Sequence, residues 1–262
     1  MPGSETTAVR PGAEAWSHTA ADPRQGRAPG ALVLHGFTGN PSSVRTLAEA
    51  FAAEGFHVEL PRLPGHGTTV EDMLTTGWGE WSAATEDAFQ RLARRAGTIV
   101  VAGLSMGAAL TLWIALRHQE VGGIVCINPA TQPWPPDIRE ALDQVLAEGL
   151  EVLPAVGSDI ADPDAAEHSY DGAPVRPLIS FFDDGLTPMA ARYNELRMPL
   201  LLFTSRQDHV VEPSHSEHLA ATYGGRVEHR WLERSYHVAT MDFDRDVIAV
   251  EAAAFARKLT GG

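Results

Sequence analysis

The chain has 262 residues, of which 44% are hydrophobic and 21% charged, and its formal net charge is −14. This length and composition predict one sizeable globular domain, alone or with an insertion. The negative charge disfavours binding to nucleic acid or anionic membranes through bulk electrostatics. No apolar run approaches the ~20 residues of a membrane helix, and Met1–Arg10 lacks the apolar core of a signal peptide. We therefore expect a soluble cytoplasmic protein without integral membrane association.

Taken in chain order, residues 1–28 are predicted to form a flexible segment with a candidate edge strand at Ala13–Thr19. Apolar strand-like runs and helical patterns then alternate as far as residue 130. The strands are Ala31–His35, Phe56–Leu60, Thr98–Ala102 and Gly123–Ile127, and the helices are Asn40–Glu54, Trp78–Arg95 and Ala108–Leu116. Because these strands are apolar enough to be buried on both faces, they predict a mostly parallel sheet with helices on each side.

The alternation stops at residues 131–192, which are acidic and punctuated by proline. Between Asp137 and Glu195 there are thirteen Asp or Glu residues and three Arg residues. We predict an inserted cap above the sheet, with Ile138–Glu148 as its clearest helix. Three glycines are candidate hinges or ordinary loop residues: Gly149, Gly157 and Gly172. Six apolar residues are candidates either to face a substrate or to pack the cap onto the body: Trp134, Ile138, Leu142, Leu146, Phe181 and Phe182.

The alternation resumes after the insertion, so residues 29–130 and 193–262 are predicted to form one α/β core. The later strands are Pro199–Phe203 and Val227–Leu232, and the later helices are Pro213–Tyr223 and Asp244–Leu259.

Gly103–Gly107 reads Gly-Leu-Ser-Met-Gly and lies between a predicted buried strand and a predicted helix. In that context the pattern is typical of a nucleophile elbow, in which a sharp turn exposes a serine hydroxyl above a sheet. Ser105 is therefore the candidate nucleophile, and the competing interpretation is a surface serine in a glycine-rich turn.

A serine hydroxyl needs a base, and a histidine base needs an acid to orient it. In an α/β sheet both are expected after later strands, in the order Ser, Asp, His. Asp208 and His237 meet this requirement, and each competes with the interpretation that it is a solvated loop residue. The competing acids are less well placed: Asp183 and Asp184 have no strand before them, and Glu212 lies beyond the expected loop.

The tetrahedral intermediate of acyl transfer needs two amide donors. The predicted oxyanion hole consists of the N–H groups of Met106, next after the nucleophile, and of Phe37, in the loop after the first buried strand. His35 and His66 are predicted to form hydrogen bonds within turns. A metal site at these histidines is not expected, since they lack ligand-type spacing. Cys126 is the single cysteine and is predicted to be a buried hydrophobe.

Several of these segments together resemble the small bacterial carboxylesterases and monoacylglycerol lipases of the α/β-hydrolase superfamily. The matching segments are Leu34–Asn40, Pro64–Gly67, Gly103–Gly107, Asp208 with Val210 and Val211, and His237 with Val238. The resemblance implies an α/β-hydrolase fold with a cap, hydrolysis of short- to medium-chain esters and no cofactor. It also implies Ser105 as nucleophile, Asp208 as orienting acid and His237 as base. The family commonly has Gly before the catalytic His, whereas this chain has Tyr236, which is expected to narrow the pocket near the base.

The sequence therefore predicts a serine hydrolase that cleaves carboxylic esters, including monoacylglycerols, through an acyl-enzyme. A thioesterase, lactonase, amidase or C–C hydrolase on the same scaffold is the first alternative, because fold does not fix function. A non-catalytic ligand-binding member of the superfamily is the second. The oligomeric state is not predicted.

Overall fold

The computed structural model of the protein describes residues 7–21, 27–154 and 158–261. Of the predicted flexible segment at residues 1–28, residues 1–6 and 22–26 therefore lie outside the described residues, as does Gly157. A seven-stranded sheet forms the centre. Its strands are β1 (Trp16–His18), β2 (Gly30–Leu34), β3 (His57–Leu60), β4 (Ile99–Leu104), β5 (Gly123–Ile127), β8 (Leu200–Ser205) and β9 (Val227–Leu232). The two remaining strands, β6 (Val152–Pro154) and β7 (Gly172–Pro174), pair antiparallel in the cap.

The strand order in the large sheet is β1-β3-β2-β4-β5-β8-β9. β1 pairs antiparallel with β3, and the other neighbours pair in parallel. The predicted mostly parallel sheet is thus confirmed. Since parallel strands end at the same edge, the loops that follow β2, β4, β5, β8 and β9 meet at their carboxyl ends.

Helices cover both faces of this sheet. In chain order, the helices of the described residues are α1 (Arg45–Ala53, preceded by a 3-10 turn at Pro41–Val44), α2 (Val70–Met73), α3 (Trp78–Ala93), α4 (Met106–Arg117), α5 (Pro136–Ala147), α6 (Val175–Ser180), α7 (Thr187–Met189), α8 (Ser214–Thr222) and α9 (Arg245–Thr260). Of these, α5, α6 and α7 belong to the segment between β5 and β8 and pack within the cap. A π-helix at Phe181–Leu186 joins α6 to α7, and a 3-10 turn at Tyr193–Glu195 precedes β8.

Alternate side chains of each central strand enter two separate cores. Along β2, Ala31 and Val33 pack on the side of α1 and α9, and Leu32 and Leu34 pack on the side of α3 and α4. Aromatic residues of the cap, including Phe181, join the second core. The cap is therefore packed onto the α3–α4 side of the molecule.

Candidate active site

Ser105 is the single residue between the end of β4 and the start of α4, and its backbone has φ 56° and ψ −117°. A non-glycine residue held at positive φ costs about 1–3 kcal/mol and persists only when its surroundings impose it. Here the surroundings are close: a Cβ added to Gly107 would overlap the backbone carbonyl of Leu34, and one added to Gly103 would overlap the backbone of Gly107. The two glycines thus allow the approach that holds Ser105 in this turn.

Asp208 and His237 lie in the loops that follow β8 and β9, and their side chains are joined by a hydrogen bond. The distance from His237 Nδ1 to Asp208 Oδ2 is 2.8 Å, and the two side chains are only 9% and 2% exposed. Asp208 Oδ1 accepts the N–H groups of Val210 and Val211 at 2.9 and 2.8 Å. With both carboxylate oxygens occupied, the Asp208 side chain is fixed and directs one oxygen at the imidazole.

The His237 imidazole is in a strongly anionic setting. Burial lowers its pKa, but the negative charge and hydrogen bond of Asp208 and the charges of Glu167 and Asp159 more than offset this, so that the pKa is raised above its ordinary value. An imidazolium formed at this position is therefore stabilised, which is what a base needs once it has taken a proton.

Ser105 and His237 both line a cavity of about 330 Å³ beneath the cap. Its other lining residues are Phe37, Thr38, Ala130, Trp134, Leu153, Pro154, Asp159, Glu167, Ser169, Tyr170, Ala173, Leu178, Phe181, Phe182, Val210, Val211 and Val238. Of the six apolar cap residues singled out in the sequence, Trp134, Phe181 and Phe182 line it, whereas Ile138, Leu142 and Leu146 do not. A broader depression of about 460 Å³ lies between α1 and α9 and contains neither Ser105 nor His237.

The loop after β2 lies directly against Ser105, since a Cβ added to Gly36 would be 3.5 Å from the Ser105 Cβ. Met106 begins α4, where the first N–H groups of a helix have no partner within it. Among the described residues, none accepts a hydrogen bond from the Phe37 N–H. The loop that carries Phe37 and the first residue of α4, Met106, thus both adjoin Ser105. Their role as oxyanion donors stays a prediction.

The competing acids are occupied elsewhere. Asp183 pairs with Arg139 at 2.8 Å, Asp184 accepts the hydroxyl of Ser180 at 2.7 Å, and Glu212 accepts that of Ser214 at 3.3 Å.

Tyr236 does not line the cavity, in contrast to the expectation from the sequence. Its ring packs edge-on against the His209 ring, with centroids 4.5 Å apart. Tyr236 therefore packs against the loop that carries His209 and does not narrow the pocket.

Three residues near His237 were not singled out by the sequence. Asn128, just after β5, donates to the His237 carbonyl at 2.8 Å and accepts the Ser205 N–H at 2.7 Å, so it ties β8 to the His237 loop. Its position at the carboxyl end of a buried strand was the available signal. Asp159 and Glu167 come from the cap, where nothing distinguished them from the other acidic residues.

Glu167 has an unusual environment for a carboxyl group. Burial raises its pKa to about 7, although the charge of His237 and a hydrogen bond from Ser43 act in the opposite direction. Glu167 therefore exchanges its proton near neutral pH and lies in the same cavity as His237.

Within the ranges that the structure describes, no group of three or more His, Cys, Asp or Glu residues could hold a metal ion. In the same ranges, no helix is long and apolar enough to cross a membrane.

The parallel sheet, the strained serine turn and the Asp208–His237 pair together define a serine hydrolase of the α/β-hydrolase class. Residues 29–244 match the family described as serine aminopeptidase, S33, and the chain belongs to this family. It is 39% identical over 236 residues to a thermostable monoacylglycerol lipase from Bacillus sp. (strain H-257), covering 88% of this chain and 92% of the relative. It is 26% identical over 235 residues to a carboxylesterase from Bacillus subtilis (strain 168), covering 87% and 92%.

Comparison with solved structures agrees with this. A structure reported for the metagenome-derived lipolytic enzymes LipS and LipT superimposes with a TM-score of 0.87 at 38% identity, covering 96% of this chain and all of that one. The chain is therefore a carboxylic ester hydrolase, and the α/β-hydrolase fold expected from its motifs is confirmed.

Proposed function

We propose that this enzyme cleaves short- to medium-chain carboxylic esters, including monoacylglycerols, through an acyl-enzyme on Ser105. The observation that carries the assignment is the buried His237–Asp208 pair, of which His237 lines one cavity together with a serine in a strained strand-to-helix turn.

In the first step the Ser105 Oγ attacks the ester carbonyl, and His237 accepts the hydroxyl proton at Nε2. This is the free ring nitrogen, because Nδ1 is directed at Asp208. Asp208 keeps the proton on Nδ1 and stabilises the imidazolium. The N–H groups of Phe37 and Met106 stabilise the oxyanion, where a single such donor is worth about 10²–10³ in kcat.

The tetrahedral intermediate collapses when His237 gives its proton to the leaving alcohol. A water molecule then attacks the acyl-enzyme by the same route, with His237 as base and then as acid, and the free carboxylic acid leaves. The reaction consumes one water and regenerates the Ser105 hydroxyl.

The lining of the cavity supports an uncharged substrate. Aromatic rings form one side, with Trp134 and Phe182 stacked at 3.7 Å between centroids. Asp159 and Glu167 supply the acidic groups, and among the described residues that line the cavity there is no Arg or Lys. An anionic substrate would meet the Asp159 carboxylate with no Arg or Lys of the described lining to pair with, whereas a neutral glyceride or simple ester needs no such partner.

The test is hydrolysis of p-nitrophenyl esters from acetate to palmitate and of 1-monoacylglycerols by the wild type, Ser105→Ala and Ser214→Ala. Ser214 is an exposed serine at the start of α8 and gives a matched control. We expect Ser105→Ala to lose at least ~10³-fold in kcat, with Ser214→Ala unchanged. A folded wild type without turnover, or a Ser105→Ala variant at the wild-type rate, would refute the assignment.

The family description favours one alternative, the hydrolysis of N-terminal peptide bonds. Aminoacyl p-nitroanilides in the same assay separate it from ester hydrolysis. The alternative is supported if Ser105-dependent turnover of the anilides exceeds that of every ester. Location in the cytoplasm stays a prediction from the sequence.

A further inference from the structure

Asp159 of the cap is bonded to both loops that carry the Asp208–His237 pair. Its Oδ2 accepts the N–H of His237 at 3.0 Å and the N–H of His209 at 3.1 Å. Its Oδ1 lies 2.8 Å from His209 Nδ1, and its backbone carbonyl accepts the Val238 N–H at 3.0 Å. The side chain is only 8% exposed.

These contacts connect positions that are far apart in sequence but adjacent in the site. His209 directly follows Asp208, and His237 is the proposed base, so one carboxylate fixes the backbone beside the acid and at the base. Without it, two amides in the neighbourhood of the pair would lose their acceptor, and the loops after β8 and β9 would lose a shared anchor. A displacement of about 1 Å at a reacting group can cost about 10²-fold in rate.

A second carboxylate provides an internal comparison. Asp242 Oδ2 accepts the N–H groups of Ala161 and Tyr236, each at 2.8 Å, and its Oδ1 accepts the Asp162 N–H at 3.0 Å. Asp242 therefore joins the cap to the same loop but accepts no hydrogen bond from His237 or His209. The two aspartates differ in that only Asp159 reaches the catalytic pair.

We propose that Asp159 of the cap is a positioning residue, which holds the loops that carry Asp208 and His237 in the relative position that catalysis needs. The cap is on this basis part of the catalytic apparatus and not only a cover for the substrate. The inference rests on the proposed function, because the relative position of these loops affects the rate only if His237 is the base.

Asp159 also acts through its charge. Three carboxylates raise the pKa of the His237 imidazole against the effect of burial: Asp208 most strongly, then Glu167 and Asp159. Neutralising Asp159 alone should lower the pKa of His237 and move the acid limb of the kcat/KM profile to lower pH. A role confined to stability would not move that limb.

The experiment compares Asp159→Ala, Asp159→Asn, Asp242→Asn and Asp164→Asn for kcat, KM, pH profile and melting temperature. Asp164 is an exposed acidic residue of the same segment, so its Asn variant removes the same charge without these contacts. We expect Asp159→Ala to lose about 10²-fold in kcat with KM nearly unchanged. Asp159→Asn keeps one side-chain oxygen that can accept the backbone N–H groups, so its loss in kcat should be smaller. The acid limb of its kcat/KM profile should be displaced to lower pH. Asp242→Asn should lower the melting temperature without displacing the limb, and Asp164→Asn should change neither.

A wild-type kcat and acid limb in Asp159→Ala would overturn the proposal. If the Ala variant does not fold, Asp159→Asn decides, and an Asn variant that also unfolds would assign Asp159 a structural role and overturn the proposal as well. Ser105→Ala measured in parallel separates the two hypotheses. If Ser105 is required while the Asp159 variants behave as wild type, only this inference fails. If Ser105→Ala stays active, the proposed function itself fails.

Discussion

Replacement of Asp208 by Asn is the sharpest perturbation of the site, because it removes the charge while retaining the shape. Asp208 Oδ1 accepts the amides of Val210 and Val211 at 2.9 and 2.8 Å, and the Asn carbonyl oxygen would keep these bonds. The side-chain NH₂ must then occupy the position 2.8 Å from His237 Nδ1. Since NH₂ only donates, Nδ1 must act as acceptor and the ring proton moves to Nε2. Nε2 can no longer accept a proton from Ser105.

The size of the effect follows from electrostatics. Two unit charges about 4 Å apart interact by about 4 kcal/mol at an effective dielectric constant of 20. Loss of that stabilisation of the imidazolium corresponds to about three powers of ten in rate. The unfavourable tautomer adds to this, and we expect a kcat loss of about 10³–10⁴-fold with KM changed little.

The assay is initial-rate hydrolysis of p-nitrophenyl butyrate over the neutral and alkaline range, with circular dichroism to verify folding. Asp183→Asn is the control, because it removes an equal charge from a partly exposed cap residue that pairs with Arg139. A natively folded Asp208→Asn enzyme with a kcat within about tenfold of the wild type would show that Asp208 neither orients His237 nor stabilises its imidazolium form.

Two further predictions concern stability. Gly107→Ala should destabilise the fold by more than the ~1 kcal/mol of an average point mutation, because the new Cβ would overlap the Leu34 carbonyl. Urea unfolding measures this loss of stability. Gly79→Ala is the control, because a Cβ at that position meets nothing within 4 Å. Burial lowers the pKa of His35 from 6.5 to about 4, with a smaller contribution from Arg62, against the effect of a hydrogen bond to Gly36. The unfolded chain therefore takes up the proton of His35 first as pH falls, and the contribution of neutral His35 to stability, about 3 kcal/mol, is present above pH 6.5 and is lost as the pH falls towards 4. A free energy of unfolding that stays level over this window, or that falls equally in His35→Gln, would contradict the assignment.

The sequence predicted the centre of the large sheet well because β2, β4, β5 and β8 are largely apolar runs, and it also found the more polar strand β9 at the sheet edge. β5 and β9 have the predicted bounds, Gly123–Ile127 and Val227–Leu232. The four-residue helix Val70–Met73 was not predicted, since it is too short to show a helical period. Its N-cap, Thr69, accepts the N–H of Asp72 at 3.3 Å and was the signal available. The π-helix at Phe181–Leu186 likewise has no periodic signature in the sequence.

The residues of the candidate site also differ in how far the sequence alone could identify them. Ser105 has a local motif, and Asp208 and His237 occupy loops whose place at the sheet edge follows from strand order, so all three could be selected without knowledge of packing. Asp159 reaches the site from the cap, 50 and 78 residues in sequence from its partners His209 and His237, and Glu167 comes from the same segment. Their contacts depend on how the cap is seated on the core, which no local pattern encodes.

The acidic residues of the cap therefore play two different physical roles. Some carboxylates face solvent, as Asp164 does, and contribute little beyond charge. Others are internal acceptors: Asp159 takes the amides of His209 and His237, and Asp162 pairs with Arg245 of α9 at 3.1 Å. An amide left without an acceptor in such a buried setting costs about 1–3 kcal/mol. If Asp159 positions these loops as proposed, a cap from a relative would preserve the geometry of this core only if it carried an acceptor at the position of Asp159. A change of cap in this protein would then alter the catalytic geometry together with the substrate range.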